Sequence, residues 1–232
     1  MINQIYNYTP CDRTTIAGSR HYCLPDGSKV PSVTTILDRT KPQEKIDALN
    51  NWKKRMGEAR AKQITTEAAS RGTRMHTFLE YYVKNNDMKS FPDNPFAHDS
   101  WFMAAEVVLQ GLSNMDQYWG MEVPVYYSGL YAGTTDCVGV WKGRPAIVDF
   151  KQSNKVKKAE YIDDYKLQLC AYAQAHNHTH GTEIKTGVIM MCVKPVSATE
   201  KPQYQEFVIS DDEFAHWSDL WNRRVEQYYL TI

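Results

Sequence analysis

The stretch at residues 133–151, GTTDCVGVWKGRPAIVDFK, decides how the rest of the chain is read. Apolar residues recur on both sides of Lys142-Gly143, the pattern of two strands joined by a two-residue hairpin turn. With that turn Trp141 faces Arg144. Counting back equally along both strands sets Asp136 opposite Asp149, with Cβ atoms roughly 4.5–5.5 Å apart on one face. A four-residue loop at 141–144 keeps the same register. Lys151 lies two residues beyond Asp149 and shares its face, whereas Val148 and Phe150 point into the other layer.

Two facing carboxylates repel, and without a cation one of them has its pKa raised. A divalent metal removes that difficulty. Paired hard oxygen ligands suit Mg²⁺, with Mn²⁺ as a substitute, and such a site polarises a phosphoryl oxygen. Lys151 can then orient water or stabilise negative charge developing at phosphorus. The plain alternative is an Asp–Lys surface pair at the end of a strand.

Outside the hairpin, 122–128 reads as a preceding strand, 160–176 as a helix, 184–193 and 203–209 as two more strands, and a final helix opens at Asp211. Upstream, 43–63 reads as an amphipathic helix with Ile46, Leu49 and Met56 on its apolar side and a basic outer face. A second helix opens at Thr65 or Thr66, buries Met75, Leu79 and Tyr82, and ends at Asn85-Asn86. Gly72 within it means either that the helix starts there or that something approaches its backbone closely. A Pro-containing loop, SFPDNPFAHDS, leads to a third helix whose buried stripe is Trp101, Phe102, Ala105, Val108, Leu109 and Leu112. Residues 1–30 read as a small hairpin with an Asp26-Gly27 turn.

The expected fold class is therefore α/β, a core of helix, three strands, helix and strand with N-terminal helices arching over a groove. Residues 1–120 hold the hairpin and the helical region, first core helix included. Residues 121–232 hold the core sheet and C-terminal helices, the whole forming one compact domain.

The chain's 232 residues, 42% hydrophobic and 23% charged, have the composition of a globular protein. No run of about 18 apolar residues exists to cross a membrane. The start, MINQIYNYTPCDRTT, lacks the apolar core of a signal peptide and the Arg-rich face of a transit peptide, so no membrane partner is expected and a cytoplasmic location is, host cytoplasm for a viral chain. Five scattered cysteines without a C-x-x-C pair suggest neither a disulfide framework nor a zinc site. A formal net charge of +0 hides a basic run between Arg39 and Arg74, whose ordinary reading is a solvated helix face. His176, His178 and His180 in AHNHTHG read as a solvated helix end rather than a metal site.

GTTD, then IVDFK and QLCAY, together resemble the nuclease core of the PD-(D/E)XK superfamily, specifically the RecB-like exonucleases. With the upstream PSVTTIL and RGTRMHTFLE, the chain is most similar to the group of mitochondrial genome maintenance exonucleases and their bacteriophage relatives, across residues 30–195. The resemblance implies a restriction-endonuclease-like core. It also implies that Asp136 and Asp149 are metal ligands, that Lys151 is the catalytic lysine, and that His76 lies near the metal at the mouth of the site. Gln168 and Tyr172 match a Q-x-x-x-Y helix, where they hold Lys151, a water or the DNA backbone, and Glu122 matches a glutamate many relatives carry. PSVTTIL corresponds to a segment near the DNA path, so Ser32 and Thr34 are candidate phosphate contacts, joined by Lys53, Arg55, Arg71 and Arg74; Trp52 reads as packing.

The chain also departs from the pattern. Thr135 stands where the superfamily's name has a proline, and the cysteines lack the spacing of the iron–sulfur staple of some RecB-like nucleases, so no such cluster is expected. The implied activity is Mg²⁺-dependent hydrolysis of single-stranded DNA from free ends by a monomer, with replication or recombination proteins as candidate partners. Two alternatives stay open: a non-catalytic nucleic-acid-binding protein with a nuclease fold, and a structure-selective endonuclease.

Overall fold

Turn chemistry sets both sheets of the computed structural model, which describes residues 2–197 and 200–231. Ala17-Gly18 and Lys142-Gly143 both have positive φ at each residue, the requirement of the tight turn that matches strand twist. The first joins Asp12–Ile16 (β1) to Ser19–Cys23 (β2), and Lys29–Pro31 (β3) completes a small antiparallel sheet. Then come the helices Val33–Arg39 (α1), Gln43–Met56 (α2), Glu58–Asn85 (α3) and His98–Gln110 (α4). The strands Met115–Tyr127 (β4), Tyr131–Trp141 (β5) and Arg144–Ser153 (β6) follow, the last two joined by Lys142-Gly143. Asp163–His180 (α5), Thr186–Val193 (β7), Gln203–Ser210 (β8) and Asp211–Leu230 (α6) complete the chain.

The main sheet has five strands in the order β4-β5-β6-β7-β8. Only β6 and β7 run parallel, because α5 carries the chain back across the sheet between them. Side chains alternate along β6 and β7 between two cores. Val148, Phe150 and Met190 face Met75, Leu79, Met103 and Val107 of α3 and α4. Ile147 and Ile189 face the layer built from Ile36 of α1, Leu169 of α5 and Trp221 of α6. The result is a mixed α/β fold with the expected succession of α4, three strands, α5 and β7.

Three helical expectations need correction. The helix expected over 43–63 breaks at Gly57, whose φ of 78° is left-handed, and α3 is a single helix from Glu58 rather than one opening at Thr65 or Thr66. Gly72 sits in its interior where a Cβ would lie 3.3 Å from Gln152 Cγ, so the glycine reflects close approach and not a helix start. The apolar side of α2 is not buried: Leu49 is 42% exposed, and α2 has no buried residue at all. In α4 the residues facing the core are Ser100, Met103, Ala104 and Val107, one position away from the expected stripe, while Phe102 and Leu109 are 46% and 69% exposed. Small residues are needed there because α4 packs closely on α3, where Ser100 Oγ donates to the Arg71 carbonyl. The aromatic side instead meets the preceding loop, with Phe91 against Trp101 and Phe102.

His176 also departs from expectation. It lies within α5, wholly buried, with one ring nitrogen on Tyr8 Oη and the other on Thr182 Oγ1. Burial, aided by His180 nearby, depresses its pKa to about 3. The unfolded chain binds a proton on this residue below about pH 6.5, and the folded chain does not until about pH 3, so stability is lost as pH falls through that window. His176→Gln should remove this loss: its urea midpoint should fall less than the wild-type midpoint between about pH 7 and pH 5. An equal fall in both proteins would count against the assignment.

Candidate active site

The pairing of β5 with β6 runs from Trp141–Arg144 to Cys137–Val148 and there stops, one residue short of Asp136 and Asp149. Beyond it β5 continues with β4 and β6 with β7, so the sheet forks where the sequence places its facing carboxylates. Phe150, just inside the fork, still pairs with Met190 of β7 but has lost β5 on its other side. Its N–H donates to Asp136 Oδ2 at 2.7 Å, and its carbonyl accepts from His76 Nε2 at 2.9 Å. Two side chains thus take the place of a β-ladder.

That contact fixes the histidine. A carbonyl only accepts, so Nε2 carries a hydrogen, and Nδ1 faces Glu122 Oε1 at 3.5 Å and Asp136 Oδ1 at 3.7 Å. The ligand atoms of His76, Glu122 and Asp136 all lie within 4.8 Å of one another. Metal-binding histidines characteristically donate their second ring N–H to a carbonyl or carboxylate, as His76 does to Phe150. Glu122 reaches the group from β4 through a left-handed backbone, φ 52°, which for a glutamate costs on the order of 1–3 kcal/mol. These residues fit a hard divalent cation with mixed nitrogen and oxygen ligands.

Asp149 and Lys151 stand beside this group as an ion pair, Lys151 Nζ against Asp149 Oδ2. Asp149 is 1% exposed. Burial raises its pKa, with Lys151 opposing and Asp136 reinforcing the shift. Burial acts to discharge Lys151, but Asp149 and Asp136 outweigh it and hold its pKa above the ordinary value. Its Nζ also lies 5.0 Å from the Tyr165 ring centroid. On the facing helix Gln168 Nε2 donates to Tyr172 Oη at 2.8 Å. Gly133 of β5 lies so close beneath Tyr172 that any Cβ would strike the ring.

Ser32, Thr34, His76, Glu122, Asp136, Gln168 and Tyr172 line one cavity of about 200 Å³. The hydroxyl of Ser32 is engaged as the N-cap of α1, accepting from Thr35 N at 3.0 Å. A second, larger groove of about 640 Å³ runs between α2 and α3 on one side and residues 152–157 on the other. Arg71 lies at its edge, mostly buried, donating to Gln152 Oε1 and Asn154 Oδ1. Trp52 is half-buried in this groove. Lys53 and Arg55 are exposed on α2 and do not line the cavity of the carboxylates, with Lys53 beside Glu58 and Lys62. Arg74 Nε is buried without a hydrogen-bond partner among the described residues.

Sequence reasoning did not find Arg13, Arg20 and Tyr22 on the first cavity, nor Tyr165, Arg60, Lys155, Lys157 and Lys194 on the second. The Ala17-Gly18 turn, with basic residues on either side, was the signal available for the first set. Among the described residues no helix is long and apolar enough to cross a membrane.

A histidine, clustered carboxylates and a buried Asp-x-Lys pair at the fork of a mixed sheet form a candidate hydrolytic metal centre, and the curated relatives point the same way. No family model matches the chain. Mitochondrial genome maintenance exonuclease 1 of Xenopus tropicalis is 30% identical over 209 residues, covering 86% of this chain and 57% of that protein. The human protein of the same name is 27% identical over 207 residues, covering 86% and 58%. The chain thus spans less than three-fifths of the length of these curated relatives. A crystal structure from Eubacterium rectale, described only provisionally as an exonuclease, overlaps 69% of this chain and 64% of its own at 14% identity and a TM-score of 0.48.

His76 supplies a test of cation binding. Its pKa results from burial, which lowers it, overcome by Glu122 and Asp136, which raise it to about 9. At neutral pH the metal-free protein therefore holds a proton that a ligand nitrogen must lose. Calorimetric titration with Mn²⁺ should show about one proton released at pH 7, read as a dependence of the heat on buffer ionisation enthalpy, with affinity rising until pH approaches about 9. His76→Ala should abolish the buffer dependence. Binding of Mn²⁺ without proton release would exclude His76 Nδ1 as a ligand.

Proposed function

We propose that this chain is a divalent-cation-dependent deoxyribonuclease with a restriction-endonuclease-like core, acting on single-stranded DNA from free ends in replication, recombination or repair. One observation carries the reading: the grouping of His76, Glu122 and Asp136 within 4.8 Å at a fork that also holds the Asp149–Lys151 pair. The names of the relatives supply the substrate class. His76, Glu122 and Asp136 would hold the cation, with Asp149 a further ligand beside them. When bound, Mg²⁺ or Mn²⁺ supplies Lewis-acid polarisation of a phosphoryl oxygen.

The remaining work falls to the chain's own groups. Lys151 keeps its proton and offers fixed positive charge where negative charge develops at phosphorus. Asp149 holds the ammonium from one side and the Tyr165 ring lies over it on another, so the charge is positioned before substrate arrives. Gln168 and Tyr172, joined to each other, form a polar wall opposite. Lys151→Ala should lower kcat by on the order of 10²-fold or more with DNA affinity little changed. Asp149→Asn should abolish hydrolysis while the fold survives, because it removes a carboxylate raised in pKa by burial and by Asp136, and Asp136 remains to balance Lys151. Single-turnover rates and anisotropy separate the outcomes: a pure affinity loss in Lys151→Ala would make the lysine a phosphate anchor instead.

The preference for free ends rests on α2. This helix has no fully buried residue, yet its N-terminal end is tied to the start of α5 by Lys45, paired with Asp163 and Asp164 at 3.2 and 3.3 Å. Its other end turns at Gly57 into α3. Between these anchors its Trp52 and Met56 line the groove that also bears Arg60, Lys155, Lys157 and Lys194, and we read the helix as a bridge across that groove. A flexible strand threads beneath such a bridge only from an end. Linear single-stranded DNA should be digested rapidly in Mg²⁺, and a covalently closed circle of the same sequence should persist. Comparable cutting of the circle would reassign the protein as an endonuclease.

A further inference from the structure

We propose that Arg13 and Arg20, on one face of the β1–β2 hairpin, form a phosphate-binding subsite that grips the nucleic-acid strand beside the carboxylate group. The proposal rests on the nuclease reading above and assigns part of its substrate contact to an element outside the main sheet.

The hairpin register carries the first step. Arg13 pairs with Tyr22 and Thr15 with Arg20, and side chains two residues apart share a face. Arg13, Thr15, Arg20 and Tyr22 therefore point the same way. Tyr22 is buried at one end of that face while Arg13, Thr15 and Arg20 are exposed, so the arginines stand at the mouth of the cavity that they line with His76, Glu122 and Asp136.

The second step is how the arginines are held. Arg13 donates from Nη2 to Thr134 Oγ1 at 3.0 Å, and its Cζ lies 5.8 Å from the Tyr22 ring centroid. Tyr22 Oη meets the same Thr134 hydroxyl at 3.3 Å. Arg13 is thus positioned while most of its five donors stay free. Among the described residues, the side chain of Arg20 has no hydrogen bond and no ion pair.

Two guanidinium groups and two carboxylates line one cavity of about 200 Å³, yet no ion pair joins them among the described residues. Thr134 and Tyr22 hold Arg13 back from the collapse that would neutralise both signs. Opposite charges kept apart across a small cavity match a ligand that is itself an anion, with the carboxylates' own cation on its far side. A phosphodiester has that character. Guanidinium groups present a planar fork that suits phosphate oxygens better than a lysine ammonium does.

The test uses the full chain and a single-stranded oligothymidylate in EDTA, where binding is read without hydrolysis. One methylphosphonate linkage, which removes one phosphate charge, is moved along the oligonucleotide, and affinity is measured by anisotropy for wild type, Arg20→Ala, Arg20→Lys and Arg13→Ala. Each alanine variant should weaken binding about tenfold or more, the usual effect of removing a charge-assisted hydrogen bond. It should also lower the salt slope by about 0.7 for each phosphate that is no longer neutralised. One neutral linkage should weaken wild type but leave Arg20→Ala indifferent, and Arg20→Lys should recover only part of the loss.

The Arg20 side chain makes no hydrogen bond or ion pair with the described residues, so its variants test the proposal even if Arg13→Ala unfolds. Unchanged affinity in both Arg20 variants, or equal sensitivity of wild type and Arg20→Ala at every linkage, overturns the subsite while Mg²⁺-dependent hydrolysis stands. A wild-type protein that neither binds nor hydrolyses the strand overturns the nuclease reading, and the subsite with it.

Discussion

Phe150 has to satisfy its backbone N–H and carbonyl after β5 has left, and most of the site follows from how it does so. A buried backbone group without a partner costs about 1–3 kcal/mol, and here two are at stake in the middle of a sheet. Asp136 and His76 meet both. The groups that would hold a cation are therefore also part of the sheet's hydrogen bonding, and their free atoms, Asp136 Oδ1 and His76 Nδ1, are aimed by bonds made on their opposite sides. The fork itself thus orients these side chains.

The same fork explains the charge balance. Among the described residues, Glu122, Asp136 and Asp149 converge with His76 and Lys151 as the cations in contact with them, while Arg13 and Arg20 stand off across the cavity. Burial acts to discharge the histidine and the lysine, yet both keep protons above their ordinary range because the carboxylates surround them. Lys151 is thereby locked into its charged state by the group it would serve. The arrangement contrasts with α2, which contributes nothing to the core and is held by partly exposed ion pairs worth about 0–1 kcal/mol each. The candidate site thus sits at a hydrogen-bonded fork of the main sheet, and the proposed bridge is a helix without a fully buried residue.

The hairpin was legible because a two-residue turn with a strict period of two leaves no freedom of register; Trp141 meets Arg144 as the turn demands. The later core strands, α5 and α6 followed from similar periodicity, but β4 begins at Met115 rather than at 122, because register shifts in its first half break the alternation, and α5 runs on to His180 rather than ending at 176. What was not legible depends on tertiary partners. A helix with apolar residues on more than one side, such as α4, does not declare which side packs, and Ser100 and Ala104 won because α3 comes close. Helix α2 has the right spacing for burial and no partner for it. Gly57 gave a signal that could have been used, a glycine followed by Glu at a helix start. The left-handed backbone of Glu122 had none, since nothing in MEVPVYY requires it. His76, Glu122 and Asp136 were each visible singly; that they form the tight group, with Asp149 turned to Lys151, needed coordinates.

Strand β4 is the outer edge of the main sheet, 13 residues long, and a flat edge of that length invites pairing with another chain. Several features prevent it. Near its start, Ile2 bridges to Tyr118 and Asn3 N–H donates to the Tyr118 carbonyl, so the N-terminal segment covers that part of the edge. Two register shifts, between Met115 and Gln117 and between Tyr118 and Gly120, kink the strand. Pro124 offers no N–H to a newcomer. Glu122 falls between these devices, and its left-handed backbone adds a local irregularity to the strand while the pairing on either side keeps one register. The distortion that places a site carboxylate thus also makes this edge a poorer template for another strand.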